Sequence, residues 1–137
     1  HEAGPAMEMC ARSGILSAGL VSLMADDNYN CALAHAVCYG LQHFEHVERD
    51  DLHGDLVAYG ALVQLMLDGQ ADKARELRAF LVSLGTPVTL AEMNVPLDKA
   101  ALHDALVEAT TGPDMAHIPY PITQDMVFEA MQRVEAL

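Results

Sequence analysis

Apolar residues recur at intervals of three and four along almost the whole chain, the spacing that lines one face of an α-helix. From Pro5 to Met24 the stripe is Met9, Ile15 with Leu16, Leu20 and Leu23. Pro5 suits a first helical turn, where its missing N–H costs nothing. Ala25-Asp26-Asp27-Asn28 reads as a turn, with Asn28 or Asn30 placed to cap a second helix that runs to about Leu41. Residues 42–52 are polar, acidic and rich in histidine, and read as a connection with room for one helical turn. His53 to Leu67 is an amphipathic segment with Leu56, Gly60, Val63 and Leu67 on one face, ended by Asp68-Gly69. Ala71 to Leu84 is helical, turning Leu77, Phe80, Leu81 and Leu84 inward, until Gly85 and Pro87 stop it.

Thr89 to Met93 reads as one short helical turn, and Asp98 to Thr110 as a further helix. The segment His117-Ile118-Pro119-Tyr120-Pro121 is expected to be extended, because a residue preceding proline is driven out of the α region. Thr123 caps a last helix, with Asp125 in its first turn and Met126, Val127, Ala130, Met131 and Val134 on its buried side. No hairpin signal, internal repeat or low-complexity tract interrupts the pattern. It predicts an all-α domain, a bundle of about six helices.

Composition adds exclusions. A length of 137 residues, 52% hydrophobic and 20% charged, is enough for one domain with a real core. Seven Lys and Arg against 20 Asp and Glu give a net charge of −13, which argues against nucleic acid and against an anionic membrane surface. No apolar run reaches the roughly 18–20 residues of a membrane span. Three irregularly spaced cysteines are no disulfide framework and point to a reducing compartment, the cytoplasm. The chain begins with His1 and lacks the basic and apolar regions of a signal peptide, so either an upstream piece has been cut away or the chain is part of a longer protein, and the resemblance given below turns the expectation toward the second.

Seven histidines raise the question of a metal. His1, His43, His46 and His103 suit ordinary surface positions. His35 lies in the apolar run Leu33-Ala34-His35-Ala36-Val37, where an imidazole is expensive unless it has a partner. His53 opens a helix, where the positive end of the helix dipole favours the neutral ring that a metal needs. Gly54 beside it would let another group approach the backbone. The two histidines sit on successive helices joined by a short connection and could face each other across one cleft.

Cys31, His35 and Cys38 compete, since i, i+4, i+7 shares one helical face and thiolates ligate zinc. Three ligands on a straight helix span about 10 Å, too far to surround one ion, so only the pair Cys31–His35 could chelate. Gly14 and Gly19 make no dinucleotide fingerprint, no strand precedes them, and no serine nucleophile elbow is present. The eight methionines are expected in the core.

Two stretches carry a resemblance: Leu33-Ala34-His35-Ala36-Val37-Cys38-Tyr39-Gly40-Leu41, and the run from Leu52-His53-Gly54-Asp55 to Gln64-Leu65. With Leu84-Gly85-Thr86-Pro87-Val88-Thr89-Leu90-Ala91-Glu92 and Ala116-His117-Ile118-Pro119-Tyr120-Pro121-Ile122-Thr123, they resemble the C-terminal helical domain of the glycerol dehydrogenase family. That family sits in the iron-containing alcohol dehydrogenase and dehydroquinate synthase-like superfamily. The resemblance implies that residues 1–137 are the helical metal-binding domain of a two-domain enzyme, with an α/β NAD-binding domain upstream. His35 and His53 match the family's two metal-binding histidines. A third ligand, an aspartate on an earlier helix, has no matching segment here.

The implied activity is metal-assisted hydride transfer between NAD and a small alcohol or polyol, with zinc expected ahead of iron, in a homo-oligomer. The isolated chain is expected to bind metal weakly and to be inactive. Family members often carry His-Asn-Gly where this chain has Cys38-Tyr39-Gly40, which turns the expectation away from glycerol itself and toward another alcohol, hydroxy acid or oxo acid. The alternatives are a lyase like dehydroquinate synthase, against which the Ile118-Pro119-Tyr120-Pro121-Ile122-Thr123 segment argues, and a non-catalytic helical module.

Overall fold

A computed structural model describes residues 4–24 and 31–137. Among these residues every regular element is a helix and there is no strand. The chain divides into two compact units, residues 1–30 and 31–137. The first contains α1 (Pro5–Arg12), a π-helical turn (Ser13–Ser17) and α2 (Ala18–Met24), with Pro5 in the opening turn as expected. None of its described side chains is buried, and Ile15, Leu16, Leu20 and Leu23 stand exposed.

The second unit comprises α3 (Leu33–Leu41), α4 (Glu45–Asp50), α5 (His53–Leu67), α6 (Ala71–Leu84), α7 (His103–Thr111), a 3₁₀ turn (Pro113–Met115) and α8 (Gln124–Glu135). The expected capping residues Asn28 and Asn30 lie outside the described residues. The residue at the start of α3 is Ala32, whose extended backbone offers no side-chain cap. The terminal Ala34 N–H is satisfied from a distance instead, donating to Gln64 Oε1 of α5 at 3.3 Å.

Helix α5 is the axis of this unit, packed by α3, α6 and α8. Leu56, Tyr59, Gly60, Leu62, Val63 and Met66 are all buried and lie on one side of the helix. The expected face through Leu56, Gly60 and Val63 is among them, widened by Tyr59, Leu62 and Met66, while Leu67, Val57, Ala58 and Leu65 are half-buried because neighbours also cover the flanks of α5. Its end is as expected, with Gly69 at φ +72° and the Gln70 N–H donating to Leu65 O at 2.8 Å, a left-handed closure that glycine adopts without strain. Gly85 ends α6 in the same way, at φ +79°.

Helix α6 departs most from its predicted face. Ala74 and Leu81 are buried, whereas Phe80 and Leu84 are 58% and 63% exposed. One narrow edge of α6 meets α5, and the periodicity alone did not reveal how narrow. On α8 the cap is as expected, Thr123 Oγ1 accepting from the Met126 N–H at 3.3 Å. Val127, Ala130, Met131 and Val134 are buried, while Met126 remains partly exposed. Only Met66, Met93 and Met131 of the methionines are buried, so the expectation that all eight pack the core fails.

The connection from α6 to α7 contributes to the core through Val88, Leu90, Met93 and Val95. Its predicted turn at Thr89 is held reciprocally. Glu92 Oε2 accepts from the Val88 and Thr89 N–H groups at 2.7 and 3.1 Å, and Thr89 Oγ1 accepts from the Glu92 N–H at 3.2 Å. Asp98 caps a turn through the Ala101 N–H at 2.8 Å, and the continuous helix starts five residues later than expected, at His103. Among the described residues no helix is long and apolar enough to cross a membrane.

Candidate functional site

The site begins with two helices that approach unusually closely. A Cβ built on Gly60 would lie 2.2 Å from Ala34 O, and one on Gly40 would lie 2.5 Å from Ala105 O. Glycine at 60 thus lets the α5 backbone lie against α3, and glycine at 40 lets α3 lie against α7. Gly54 has nothing within 4 Å, so the close approach expected beside it is found two turns along at Gly60 instead. Ala34 meets Gly60 and Gln64 while Cys38 meets His53, so α3 and α5 run antiparallel.

This packing places His35, from the first half of α3, against His53, the first residue of α5. Their ring centroids lie 5.8 Å apart with planes inclined by 46°. Tyr39, one turn along α3 from His35, completes a near-equilateral triangle of rings, 6.3 Å from His35 and 6.0 Å from His53. His35 is half-buried and His53 is exposed, so the pair forms the wall of an open surface rather than a sealed cavity. His35 is thus not the fully buried imidazole that its apolar run suggested, and the ring beside it is that of His53.

Cys38 lies beneath the rings and is fully buried. Its Sγ is 3.4 Å from His53 Nδ1 and 3.8 Å from the His53 carbonyl oxygen. Burial pushes the Cys38 thiol up to about 11, so it carries its proton at neutral pH. Tyr39 also titrates above its ordinary value, through burial first and then the neighbouring Cys31, Asp114 and Cys38, so its hydroxyl remains a donor.

The competing cysteine site dissolves. Cys31 precedes α3, which begins at Leu33, so the three residues do not share one helical face. Burial and the nearby Asp114 carboxylate raise the Cys31 thiol, and Cys38 is engaged with His53. Of the other histidines, His46 is no ordinary surface residue: its Nε2 lies 3.1 Å from Met93 O and ties α4 to the α6–α7 connection. His43 stands 4.0 Å from Glu108, His103 is exposed, and His1 lies outside the described residues. Among the described residues no three His, Cys, Asp or Glu side chains converge as a complete metal-binding group.

Sequence reasoning missed Tyr39 and Gln64 as parts of this arrangement. The interior glycines Gly40 and Gly60 were the available signal, since glycine inside an apolar helix marks close backbone approach.

A scan against protein-family models finds no match. Individual relatives are informative. The chain is 35% identical over 124 residues to hydroxycarboxylate dehydrogenase A of Escherichia coli, covering 89% of this chain and 34% of that protein. It is 32% identical over 117 residues to glycolaldehyde reductase of Halobacterium salinarum, covering 82% of this chain and 31% of that protein. Glycerol dehydrogenase of Citrobacter freundii is 27% identical over 146 residues, covering 98% of this chain and 40% of that protein. The chain spans about a third of the length of the curated relatives it matches. The helical architecture of the described residues and the matches to dehydrogenases over most of the chain place it in the glycerol dehydrogenase family.

Proposed function

We propose that His35 and His53 supply two protein ligands of a divalent cation, zinc in preference to iron, in an NAD-dependent oxidoreductase acting on a small alcohol, polyol or hydroxy acid. The carrying observation is the 5.8 Å separation of the two ring centroids. Two imidazoles this close, one on each of two facing helices, would hold a shared cation after the side-chain rotations that a partly exposed surface allows. The donor set therefore fits as a pair. A catalytic zinc takes three protein ligands and one open position, and the third ligand is assigned to the part of the protein beyond residues 1–137.

When bound, the cation supplies Lewis acidity toward the substrate oxygen. The chain's own contribution is positional. Gly60 and Gly40 hold α3 against α5 and α7, the two imidazole rings lie side by side from facing helices, and the Tyr39 ring flanks them. The Tyr39 hydroxyl keeps its proton and is a donor available to a substrate oxygen. The nicotinamide cofactor is assigned to a separate α/β domain, so the 137 residues alone bind metal weakly and do not turn over. The names of the relatives, dehydrogenases and a reductase, favour an oxidoreductase over a lyase. Cys38-Tyr39-Gly40 and the identity to a hydroxycarboxylate dehydrogenase favour a substrate other than glycerol. The proposal extends to a cytoplasmic homo-oligomer.

The test is metal content and turnover of the full-length protein with NAD and a panel of small diols and 2-hydroxy acids. One equivalent of zinc or iron per chain is expected, lost together with activity in both H35A and H53A. Full metal occupancy and activity in either variant overturns the assignment. Sub-micromolar zinc affinity of the 137-residue chain by calorimetry overturns the need for an outside ligand.

A further inference from the structure

We infer that Cys38 is a positioning residue that selects the tautomer of His53, holding the proton on Nδ1 and leaving Nε2 free. The argument is one of counting protons. A thiol has one hydrogen to donate, and Cys38 Sγ lies against two potential acceptors, His53 Nδ1 at 3.4 Å and the His53 carbonyl oxygen at 3.8 Å. A thiol donating to Nδ1 leaves the carbonyl contact unused and places the ring proton on Nε2, where no cation can bind. A thiol donating to the carbonyl leaves the sulfur lone pairs facing Nδ1, which then donates. Only the second arrangement makes a hydrogen bond of both contacts. Cys38 is fully buried and one turn of α3 carries both it and the Ala34–Gly60 contact, so the sulfur cannot drift from the ring.

A ligating histidine generally donates its other N–H to a group outside the ligand shell, and loss of that partner costs about 10–100-fold in metal affinity. The consequence for metal rests on the proposed ligand role of His53; the tautomer itself does not. Cys38 touches neither substrate nor cation and acts through the ring.

The experiment is a long-range ¹H–¹⁵N correlation spectrum of the ¹⁵N-labelled, chelator-treated full chain at a pH above the ordinary histidine range, with His53 assigned from H53A. The expected result is an Nδ1–H tautomer for His53 in the wild type and in C38S, whose hydroxyl keeps one donor and its acceptors. In C38A, checked for folding by circular dichroism, His53 shifts to Nε2–H and zinc affinity falls about 10–100-fold, with C38S restoring most of it. An Nε2–H tautomer in the wild type, which requires no variant, overturns the inference, as does an unchanged tautomer in C38A. An Nδ1–H signal that depends on Cys38, with zinc binding indifferent to H53A, supports the positioning role and removes the metal assignment instead.

Discussion

Replacement of Gly60 by alanine tests the close helix packing on which the site rests. The new Cβ would sit 2.2 Å from Ala34 O and 2.9 Å from Ala34 Cα and carbonyl carbon, against an ordinary contact of 3.4 Å or more. The obstacle is backbone, which cannot rotate aside, so α3 and α5 must separate by about 1 Å. A gap of that size forfeits a quarter to a half of the dispersion well for each pair of atoms along the interface. Overpacking of this kind costs about 1–3 kcal/mol, and the rigidity of the obstacle places it toward the upper end. The gain in helix propensity from Gly to Ala offsets about 1 kcal/mol, leaving a net loss of about 2 kcal/mol. Gly54 is the control: it lies in the same helix with nothing within 4 Å, so G54A is expected to be neutral or stabilising by up to about 1 kcal/mol. Equilibrium urea unfolding of both variants measures the difference. A G60A protein as stable as G54A would refute the close approach, and with it the physical reason that His35 meets His53.

Two further outcomes are expected. Burial raises Glu135 above its ordinary value despite the Leu90 N–H that it accepts at 2.8 Å. The folded state therefore holds its proton to higher pH than the unfolded one, and this group's contribution to stability falls as pH rises from the ordinary glutamate range through the raised value. E135Q keeps the acceptor oxygen and removes the charge, so its stability relative to wild type should be greatest at neutral pH and shrink on acidification; a difference independent of pH contradicts this. T123A removes the acceptor for the Met126 N–H and should cost about 1 kcal/mol by thermal unfolding, with no cost expected if α8 starts elsewhere.

How far the site was legible can be argued from its residues. His35 and His53 stood out because an imidazole in an apolar run and an imidazole opening a helix are chemically conspicuous. Cys38 was conspicuous too, but its i, i+4, i+7 spacing with Cys31 assumed a helix reaching back to residue 31, and α3 starts at Leu33. A helix start without a local cap depends on which distant group satisfies its terminal N–H donors. Here the group is Gln64, thirty residues away. Burial on α6 was misjudged for a related reason: Phe80 and Leu84 have the right period but no neighbour over them among the described residues.

Local chemistry written into the chain determined the helical period and those helix ends that carry their own signal: proline at position 5, threonine at 123, and glycines at 69 and 85 taking left-handed closures. Those effects act within a turn or two and need no partner. Which faces are covered, which glycine admits a neighbouring backbone and which nitrogen of His53 meets a sulfur were decided only by the antiparallel pairing of α3 with α5. That pairing is a property of two surfaces in contact, and the period of either helix alone leaves it open.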